Sequence, residues 1–213
     1  MKHRILVVED HAVVRDGLIA LINRAPDLEV CASADSASSA LQAIDRHQPE
    51  LVIADLMLKE GNGLELIKQA RASHPNVLFL IISMQEEELY AERCIKAGAS
   101  GYITKHAATD EFMDAIQIIL GGEIYLSKKM NARLLRRLAD RKIEHARDDL
   151  GVLTDRELQV FQMIGAGMNT REIAPALGIS PKTVATHREN IKLKLGFKDG
   201  RALLQAAMKS MQG

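Results

Sequence analysis

The sequence predicts an α/β protein in which a five-stranded, parallel, doubly wound sheet precedes a small all-α domain of four helices. Two observations support this prediction. Over residues 1–121, short apolar runs alternate with helical stretches, the pattern of parallel strands buried on both faces. Over the last 64 residues, apolar side chains recur at helical spacing between capped helix starts and glycine turns. We expect right-handed crossover connections within the sheet.

Strands and helices alternate regularly in the first part of the chain. The predicted strands are Arg4–Val8, Glu29–Ser33, Leu51–Asp55, Asn76–Ser83 and Gly101–Lys105. The predicted helices are His11–Asn23, Ser36–His47, Leu64–Ser73, Glu86–Lys96 and Thr109–Leu120. Pro49, Gly98 and Gly121-Gly122 are suitable helix stops. These five strand–helix units define a first domain over residues 1–122.

Polar side chains follow four of these strands, at the point where each strand ends. They are Glu9, Asp10, Asp55, Ser83 and Lys105. Because the carboxyl ends of parallel strands meet at one edge of a sheet, we expect these side chains to lie together. Three carboxylates, a hydroxyl and an ammonium are what a Mg²⁺-assisted phosphoryl transfer to a carboxylate requires. A lone Asp or Lys there is more often a cap or a surface residue, but five at matching strand ends favour a functional site.

Charge is divided unevenly along a chain that is neutral overall. Residues 1–121 hold 11 Lys and Arg against 18 Asp and Glu, whereas the remainder holds 17 against 10. The split favours an acidic domain beside a nucleic-acid-binding one, although two differently charged solvated surfaces would also produce it. No apolar run approaches the roughly 20 residues of a membrane span, and no signal peptide is visible. Cys31 and Cys94 form no cluster, so we expect reduced thiols in a cytoplasmic protein.

Residues 123–149 are predicted to link the two domains. The first part, Ser127–Arg141, is a predicted helix with apolar residues at helical spacing and several arginines. The second part, Glu144–Asp149, is polar and without periodicity, which is typical of a tether. The basic cluster could contact DNA, but a solvated linker helix is the favoured interpretation.

The helical domain is predicted over residues 150–213. Thr154 and Glu157 form a capping box at its first helix. The buried side of that helix is predicted to hold Leu158, Phe161, Met163 and Ile164. The next helices are predicted at Arg171–Leu177, from Pro181 onward after a Ser180 cap, and at about Arg201–Met211. A short helix, a turn at Gly178 and a longer helix match the helix-turn-helix pattern.

Residues of both domains resemble those of known families. Val8-Glu9-Asp10, Asp55 with Asn62-Gly63, Ser83, Ala97–Tyr102 and Lys105 resemble the receiver domain of two-component response regulators. The second domain resembles the LuxR-type helix-turn-helix at Leu153-Thr154, Arg156-Glu157, Gly167, Glu172–Ala174, Leu177, Ile179-Ser180, Thr183-Val184, His187, Ile191 and Lys194-Leu195. Together and in this order, they are similar to the NarL/FixJ class of transcriptional regulators over nearly the whole chain.

The first resemblance implies a flavodoxin-like receiver domain that binds Mg²⁺. It implies that Asp55 accepts a phosphoryl group from a sensor histidine kinase. Mg²⁺ would be held by Glu9, Asp10, Asp55 and the main-chain carbonyl of Met57. Carboxylate oxygens with water and phosphate oxygens suit this ion. Without a cation, the three carboxylates would repel one another.

The same resemblance implies a conformational switch. Lys105 would pair with a phosphate oxygen, and Ser83 would donate a hydrogen bond to the phosphate. Tyr102 would then change rotamer between exposed and packed states, with plain core packing as the alternative. His11, beside the acidic pair, is interpreted as a helix-start residue rather than a ligand.

The second resemblance implies double-stranded DNA as a partner and a homodimer in the phosphorylated state. The positions that match common base contacts are Ala185, Thr186 and Glu189. Phosphate contacts are expected from Lys182, Thr183, His187, Lys192 and Lys194, and Arg188 lies in the same polar set. The dimer surface stays open between the helices Glu86–Lys96 and Thr109–Leu120 and the last helix of the chain.

Three positions depart from the family pattern. Glu9 replaces the commoner Asp and has a longer reach. Lys59 stands where proline is frequent, so the loop after Asp55 is expected to be looser. Pro175 falls inside the second helix of the DNA-binding unit, where it removes a hydrogen bond and is expected to kink the helix.

The sequence predicts a regulator rather than an enzyme. Phosphatases of the haloacid-dehalogenase type use a similar set of groups, but they need a second Asp two residues after the nucleophile, where this chain has Met57. The remaining alternative is a DNA-binding regulator that works without phosphorylation. Receivers that have lost the switch usually lack an acidic residue, the Asp or the Lys, and this chain has all of them.

Overall fold

The computed structural model describes residues 2–139 and 149–210, which form two compact units divided between Arg136 and Arg137. The part of the predicted tether at residues 144–148 and the predicted helical residue Met211 lie outside the described residues.

Five parallel strands form the sheet of the first unit, as predicted. They are β1 (His3–Val8), β2 (Leu28–Ala34), β3 (Leu51–Asp55), β4 (Leu78–Ser83) and β5 (Gly101–Thr104). The order across the sheet is β2-β1-β3-β4-β5, and every neighbouring pair is parallel. The chain winds outward in opposite directions from β1 and β3, and such a switch point opens a crevice at the carboxyl ends of those strands.

The core of this unit lies between the sheet and its helices. The connecting helices are α1 (Ala12–Ile22), α2 (Ala37–His47), α3 (Gly63–Ser73), α4 (Glu87–Ala97) and α5 (Thr109–Leu120). Every residue of β3 is buried, and one core cluster joins Ile53 and Leu80 of the sheet to Phe112 and Ile116 of α5. Burial on both faces explains why the central strands are continuous apolar runs rather than alternating ones.

Local hydrogen bonds shift two element starts from their predicted positions. Strand β4 begins at Leu78 rather than Asn76, because the Val77 N–H donates to the His74 carbonyl at 3.3 Å and closes a turn. Helix α3 begins at Gly63 rather than Leu64, because the Asn62 side chain caps it by accepting a hydrogen bond from the Leu64 N–H at 2.8 Å.

After α5 the chain returns to the edge of the sheet. The Tyr125 carbonyl accepts a hydrogen bond from the Tyr102 N–H at 3.1 Å, and the Tyr125 N–H donates to the Ser100 carbonyl at 3.0 Å. These two bonds flank Gly101 at the start of β5 and form an isolated parallel bridge. The segment predicted to begin a linker therefore starts as part of the first unit.

The helix that follows, α6 (Lys128–Ala139), is fixed at its first turn to the first turn of α4. The buried carboxylate of Glu87 accepts hydrogen bonds from the N–H of Ser127, at 2.8 Å, and from its hydroxyl. Lys129 pairs with Glu88 at 2.5 Å. The Ser127 hydroxyl oxygen also accepts a hydrogen bond from the Met130 N–H at 3.1 Å, so the same residue caps α6.

Within the described residues 149–210 of the second unit, four α-helices are present, as predicted. They are α7 (Asp155–Gly165), α8 (Thr170–Ala176), α9 (Pro181–Leu195) and α10 (Gly200–Ser210), preceded by a 3₁₀ turn at Asp149–Val152. The predicted capping box of Thr154 and Glu157 is present, and Ser180 caps α9 through the Thr183 N–H. A second capping box, Asn169 with Glu172, starts α8 one residue before the predicted Arg171.

Packing of α7 and α8 differs from expectation in two details. Met163 is only half-buried, whereas the adjacent Val160 and the polar Gln159 are buried. Helix α8 continues through Pro175 to Ala176, and the turn closes through hydrogen bonds from Gly178 N–H to the Pro175 carbonyl and from Ile179 N–H to the Ala174 carbonyl. Pro175 thus lies in the last turn, where its missing N–H leaves the Arg171 carbonyl without the usual i−4 donor, but the helix ends one residue later.

Across residues 2–139 and 149–210, no helix combines the length and apolar character that crossing a membrane would need.

Gly63 is expected to be intolerant of a side chain. A Cβ at this position would lie 2.7 Å from the Asp55 carbonyl oxygen and 3.0 Å from the Leu56 Cα, both of them backbone atoms. We expect Gly63→Ala to lower the free energy of unfolding by about 1–3 kcal/mol. The measurement is urea unfolding followed by tyrosine fluorescence, since all three tyrosines lie in the first unit and the chain has no tryptophan.

The matched control is Gly17→Ala in helix α1. Apart from its chain neighbours and the backbone of its own helix, no heavy atom lies within 4 Å of the Cβ that would be added there, so a stabilisation of about 0.5–1 kcal/mol is expected from helix propensity. Equal effects of the two substitutions would contradict the close approach at Gly63.

Candidate functional sites

The register of the sheet brings the predicted site residues of the first unit to one rim. Val8 pairs with Ala54, so Glu9 and Asp55 follow side by side at the ends of β1 and β3. Ser83 pairs with Thr104, which places Lys105 directly after the neighbouring strand end. The Glu9 and Ser83 side chains are fully buried, and Asp55 is 4% exposed.

An ammonium group bridges two of the carboxylates. Nζ of Lys105 lies 2.6 Å from Oε2 of Glu9 and 2.7 Å from Oδ2 of Asp55. Burial acts to lower the pKa of Lys105, but the two carboxylates outweigh it and the pKa is raised. Burial raises the pKa of Asp55, with the Lys105 ammonium opposing that shift. Asp55 is thus a nearly water-free carboxylate with a cation at one oxygen.

The other oxygen of Asp55 and the Asp10 carboxylate face the loop after β3. Oδ1 of Asp55 accepts a hydrogen bond from the Met57 N–H at 3.1 Å. Oδ2 of Asp10 accepts one from the Lys59 N–H, also at 3.1 Å, a bond that a proline at this position could not make. This bond joins the loop to Asp10, and the expected looseness of the loop at Lys59 stays a prediction.

The acidic residues fit a divalent cation. One ligand atom from each of Glu9, Asp10, His11 and Asp55 can be chosen so that all lie within 4.8 Å of one another. Oδ1 of Asp10 is buried and has no hydrogen-bond partner among the described residues, although Nδ1 of His11 lies 2.8 Å away without hydrogen-bond geometry. Buried carboxylate oxygens, one of them unsatisfied, are the donors that Mg²⁺ prefers.

Ser83 and Tyr102 meet through the backbone of Gln85. The Gln85 N–H donates to Oγ of Ser83 at 3.1 Å, and the Tyr102 hydroxyl donates to the Gln85 carbonyl at 2.8 Å. The Tyr102 side chain is fully buried, and this burial raises its pKa. Of the two rotameric states considered for Tyr102, the structure therefore holds the packed one.

Helix α9 of the second unit presents the predicted polar surface. Val184 and Ile191 are buried on its inner side. Lys182, Thr183, Ala185, Thr186 and Glu189 are exposed, and His187, Arg188 and Lys192 are half-buried. The spacing of exposed and buried residues gives one solvent-facing side, as insertion into a major groove requires.

Two lysines of α9 are engaged with carboxylates. Nζ of Lys194 lies 2.6 Å from Oε2 of the buried Glu157 on α7, and Nζ of Lys192 lies 2.8 Å from Oε2 of Glu189. Removing Lys194 would leave a buried carboxylate uncompensated. A DNA-phosphate contact for Lys194 stays a prediction, and any such contact would compete with this ion pair.

His187 is held partly inside the second unit. Its Nδ1 is buried and has no hydrogen-bond partner within the described part of the chain. Burial lowers its pKa, Glu157 acts in the opposite direction, and Arg156 adds to the lowering. This environment favours the neutral imidazole, a weak ligand for phosphate compared with a cation.

Sequence reasoning missed three contributors to these sites. The Lys59 N–H and the His11 ring reach the acidic residues, and Glu157 holds Lys194. The adjacency of His11 to Glu9 and Asp10 was visible in the sequence, but nothing in it indicated the side-chain direction. Glu157 and Lys194 are 37 positions apart, and their pairing depends on how α7 packs against α9.

Both units match known protein families. The family described as response regulator receiver domain matches residues 5–117, and the family of bacterial regulatory proteins, luxR family, matches residues 151–207. The oxygen regulatory protein NreC of Staphylococcus carnosus is 32% identical over 210 residues, which cover 97% of each chain. NreC of Staphylococcus epidermidis is 31% identical with the same coverage.

Solved structures of similar chains agree with the fold. A LuxR-family two-component response regulator from Aurantimonas is 32% identical, with a TM-score of 0.60, over 68% of this chain and all of that one. The response regulator ChrA of a heme-sensing two-component system is 28% identical, with a TM-score of 0.53, over 99% of this chain and 98% of that one.

The second unit is expected to lose stability in mild acid because of His187. Its pKa is lowered in the folded state, so as the pH falls through about 6.5 the unfolded chain takes up a proton first. The contribution of His187 is therefore present above that pH and lost below it. Protonation would also add an N–H at the buried Nδ1, for which the described residues provide no acceptor.

The test compares melting temperatures by helical circular dichroism at about pH 7.5 and about pH 5.5, either side of the ordinary imidazole pKa. His187→Gln should reduce the acid-induced drop, whereas His106→Gln, at an exposed site in the first unit, should leave it unchanged. An unaltered drop in His187→Gln would assign the acid sensitivity to other groups.

Proposed function

Because the chain belongs to the response regulators that join a receiver domain to a LuxR-type DNA-binding domain, we propose that phosphorylation of Asp55 controls its binding to DNA. The protein is a phosphorylation-dependent, DNA-binding transcriptional regulator rather than an enzyme, and its partners are a sensor kinase and DNA. The observation that carries the role of Asp55 is its buried carboxylate with the Lys105 ammonium 2.7 Å from Oδ2.

Asp55 is suited to act as the nucleophile toward a phosphorus atom. Asp55 is buried and its Oδ2 contacts Lys105, so little water must be displaced from the carboxylate when a phosphoryl group binds. Lys105 then neutralises one phosphoryl oxygen, and the Met57 N–H keeps the second carboxylate oxygen oriented, at 3.1 Å. Positioning and charge stabilisation provide most of the catalysis in phosphoryl transfer.

Mg²⁺ would be held by Glu9, Asp10, Asp55 and the Met57 carbonyl, with Asp10 Oδ1 as the oxygen not yet engaged. When bound, it would neutralise phosphoryl oxygens during transfer. Family membership supports an acidic cation site in the receiver domain, and the residue-level ligand set is our proposal.

The phosphoryl group would change the conformation through Ser83 and Tyr102. A Ser83 hydroxyl that turned toward the phosphate would give up its hydrogen bond from the Gln85 N–H. Gln85 also accepts from the Tyr102 hydroxyl, so movement of this loop changes the partner of the buried ring. Phosphorylation would thereby favour a conformation that is rarely populated without it. The size of the shift is the difference between the free energies of the phosphoryl group's contacts in the two conformations.

In the second unit, α9 would read DNA. Ala185, Thr186 and Glu189 are the proposed base-contacting residues, and Lys182, Thr183, His187, Arg188, Lys192 and Lys194 are the proposed phosphate-facing set. We propose a homodimer on two half-sites. Leu204 and Met208 of α10 are 38% and 46% exposed, which supports that helix as the contact surface. With DNA as its partner, we place the protein in the cytoplasm.

Substituting Asp55 tests the proposed nucleophile. Asp55→Asn should abolish phosphoryl incorporation from a small phosphodonor with Mg²⁺, because the amide lacks the nucleophilic oxygen charge. It should also abolish the donor-dependent rise in DNA affinity. Intact-protein mass spectrometry measures the first and fluorescence anisotropy with labelled DNA the second.

The matched control is Asp16→Asn on the exposed surface of α1, which should behave like the unsubstituted chain. Stoichiometric phosphoryl incorporation into Asp55→Asn would show that Asp55 is not the phosphorylated residue.

Substitutions on α9 should separate base reading from phosphate binding. Lys182→Ala should weaken binding to specific and to random DNA by the same factor. It should also reduce the slope of log affinity against log salt concentration by about 0.9. Thr186→Ala or Glu189→Ala should change sequence preference, by about 1–3 kcal/mol per lost base contact.

Because Glu189 pairs with Lys192, its loss also releases a cation that could bind any DNA. Lys192→Met is therefore run in parallel, and selected binding sites are compared as well as affinities. If Glu189→Ala lost the same factor of affinity for specific and for random DNA, Glu189 would be excluded as a base-reading residue.

A further inference from the structure

Helix α9 carries a leucine on its solvent-facing side. Leu193 is 80% exposed, the highest value among the large apolar residues in the described part of the second unit. It follows the buried Val184 by nine positions, about two and a half helical turns, so it lies opposite the side of α9 that packs into the core. Packing among the described residues of this unit therefore gives no reason for a leucine at this position.

Leu193 extends the row of residues with which α9 would read bases. Four residues of the row are spaced i, i+3, i+4 and i+7, namely Thr186, Glu189, Asn190 and Leu193. This spacing puts them on one side of the helix, and helices that lie along a major groove contact bases from positions spaced in this way. Between Thr186 and Leu193 the helix rises about 10 Å, which is roughly three base steps of about 3.4 Å.

The lysines on either side of Leu193 are engaged with carboxylates. Nζ of Lys192 lies 2.8 Å from Oε2 of Glu189, and Nζ of Lys194 lies 2.6 Å from Oε2 of Glu157 on α7. Leu193 itself has neither a charge nor a hydrogen-bonding group in its side chain, so it cannot pair with a DNA phosphate. The apolar partner that a major groove offers to such a side chain is the C5-methyl group of thymine.

A protein partner fits this surface less well. Leu193 is the one exposed large apolar residue of α9, and the residues before it in the row are polar. Stable protein interfaces bury on the order of 800 Å² on each partner, far more than one leucine side chain offers. A single methyl group in a groove, in contrast, needs only one such side chain.

We propose that Leu193 is a specificity-determining residue that contacts the C5-methyl group of a thymine, about three base pairs from the pair that Thr186 reads. The contact removes both apolar groups from water, so it favours thymine over a base that lacks the methyl group. This inference rests on the proposed function, because it adds one residue to the DNA-reading surface of α9.

A double-mutant cycle between protein and DNA tests the contact. A preferred site is selected from random duplexes with the full chain, and each of its thymines is replaced singly by deoxyuridine, which lacks only the methyl group. With the unsubstituted chain, one replacement about three base pairs from the position sensitive to Thr186→Ala should weaken binding about fourfold. That factor corresponds to the burial of one methyl-sized group, about 0.8 kcal/mol.

Leu193→Ala should remove the sensitivity to that methyl group. It should weaken binding to the thymine duplex by at least about fourfold and bind the thymine and deoxyuridine duplexes equally, because both changes remove the same contact. Since Leu193 is exposed, the melting temperature followed by helical circular dichroism should stay unchanged. The matched control is Val152→Ala, an exposed apolar residue outside α9, which should keep both the affinity and the preference for thymine.

Two results would overturn the role of Leu193. One is a Leu193→Ala variant that still discriminates thymine from deoxyuridine as strongly as the unsubstituted chain does. The other is weaker self-association of Leu193→Ala in sedimentation without DNA, since that would assign the leucine to a contact between copies of the chain.

All affinities are measured with and without a small phosphodonor and Mg²⁺. Binding that is indifferent to the phosphodonor but shows the Leu193 coupling would refute control by Asp55 alone. A donor-dependent rise in affinity, without coupling between Leu193 and any thymine methyl group, would refute the role of Leu193 alone.

Discussion

Parallel pairing of β1 with β3 fixes the geometry on which the first unit depends. The pair Val8 and Ala54 sets Glu9 beside Asp55, and the pair Ser83 and Thr104 sets Lys105 beside the hydroxyl at the neighbouring strand end. A shift of one residue in either register would turn each side chain to the opposite face of the sheet. The packing that holds the strands in this register therefore also determines the chemistry at the rim.

Buried glutamates joined to distant partners recur in both units. Glu9 contacts Lys105, Glu87 accepts from Ser127, and Glu157 contacts Lys194. Removing one partner from such a pair leaves an uncompensated buried charge, which is strongly destabilising. Each pair therefore joins elements far apart in the sequence, and substitutions at these positions change the fold as well as the site.

The elements of the fold were predictable because their causes are local. Strands buried on both faces leave continuous apolar runs, and the capping box at Thr154 is a four-residue pattern. The rim residues followed from the rule that parallel strands end together. The pairing of Lys194 with Glu157 and the Lys59 N–H bond to Asp10 were not predictable, because both depend on packing between separate elements. For Met163, helical spacing alone could not specify which side α7 turns inward.

The packed position of Tyr102 makes an outward-facing ring a rare state of the first unit. Turning a fully buried aromatic ring into water costs about 1.5–3 kcal/mol, and the lost hydrogen bond to Gln85 adds about 1 kcal/mol. At about 1.4 kcal/mol per factor of ten, the outward ring would be held by between roughly one molecule in 60 and one in 700. The balance between the two rotamers is therefore set by how well this one tyrosine packs.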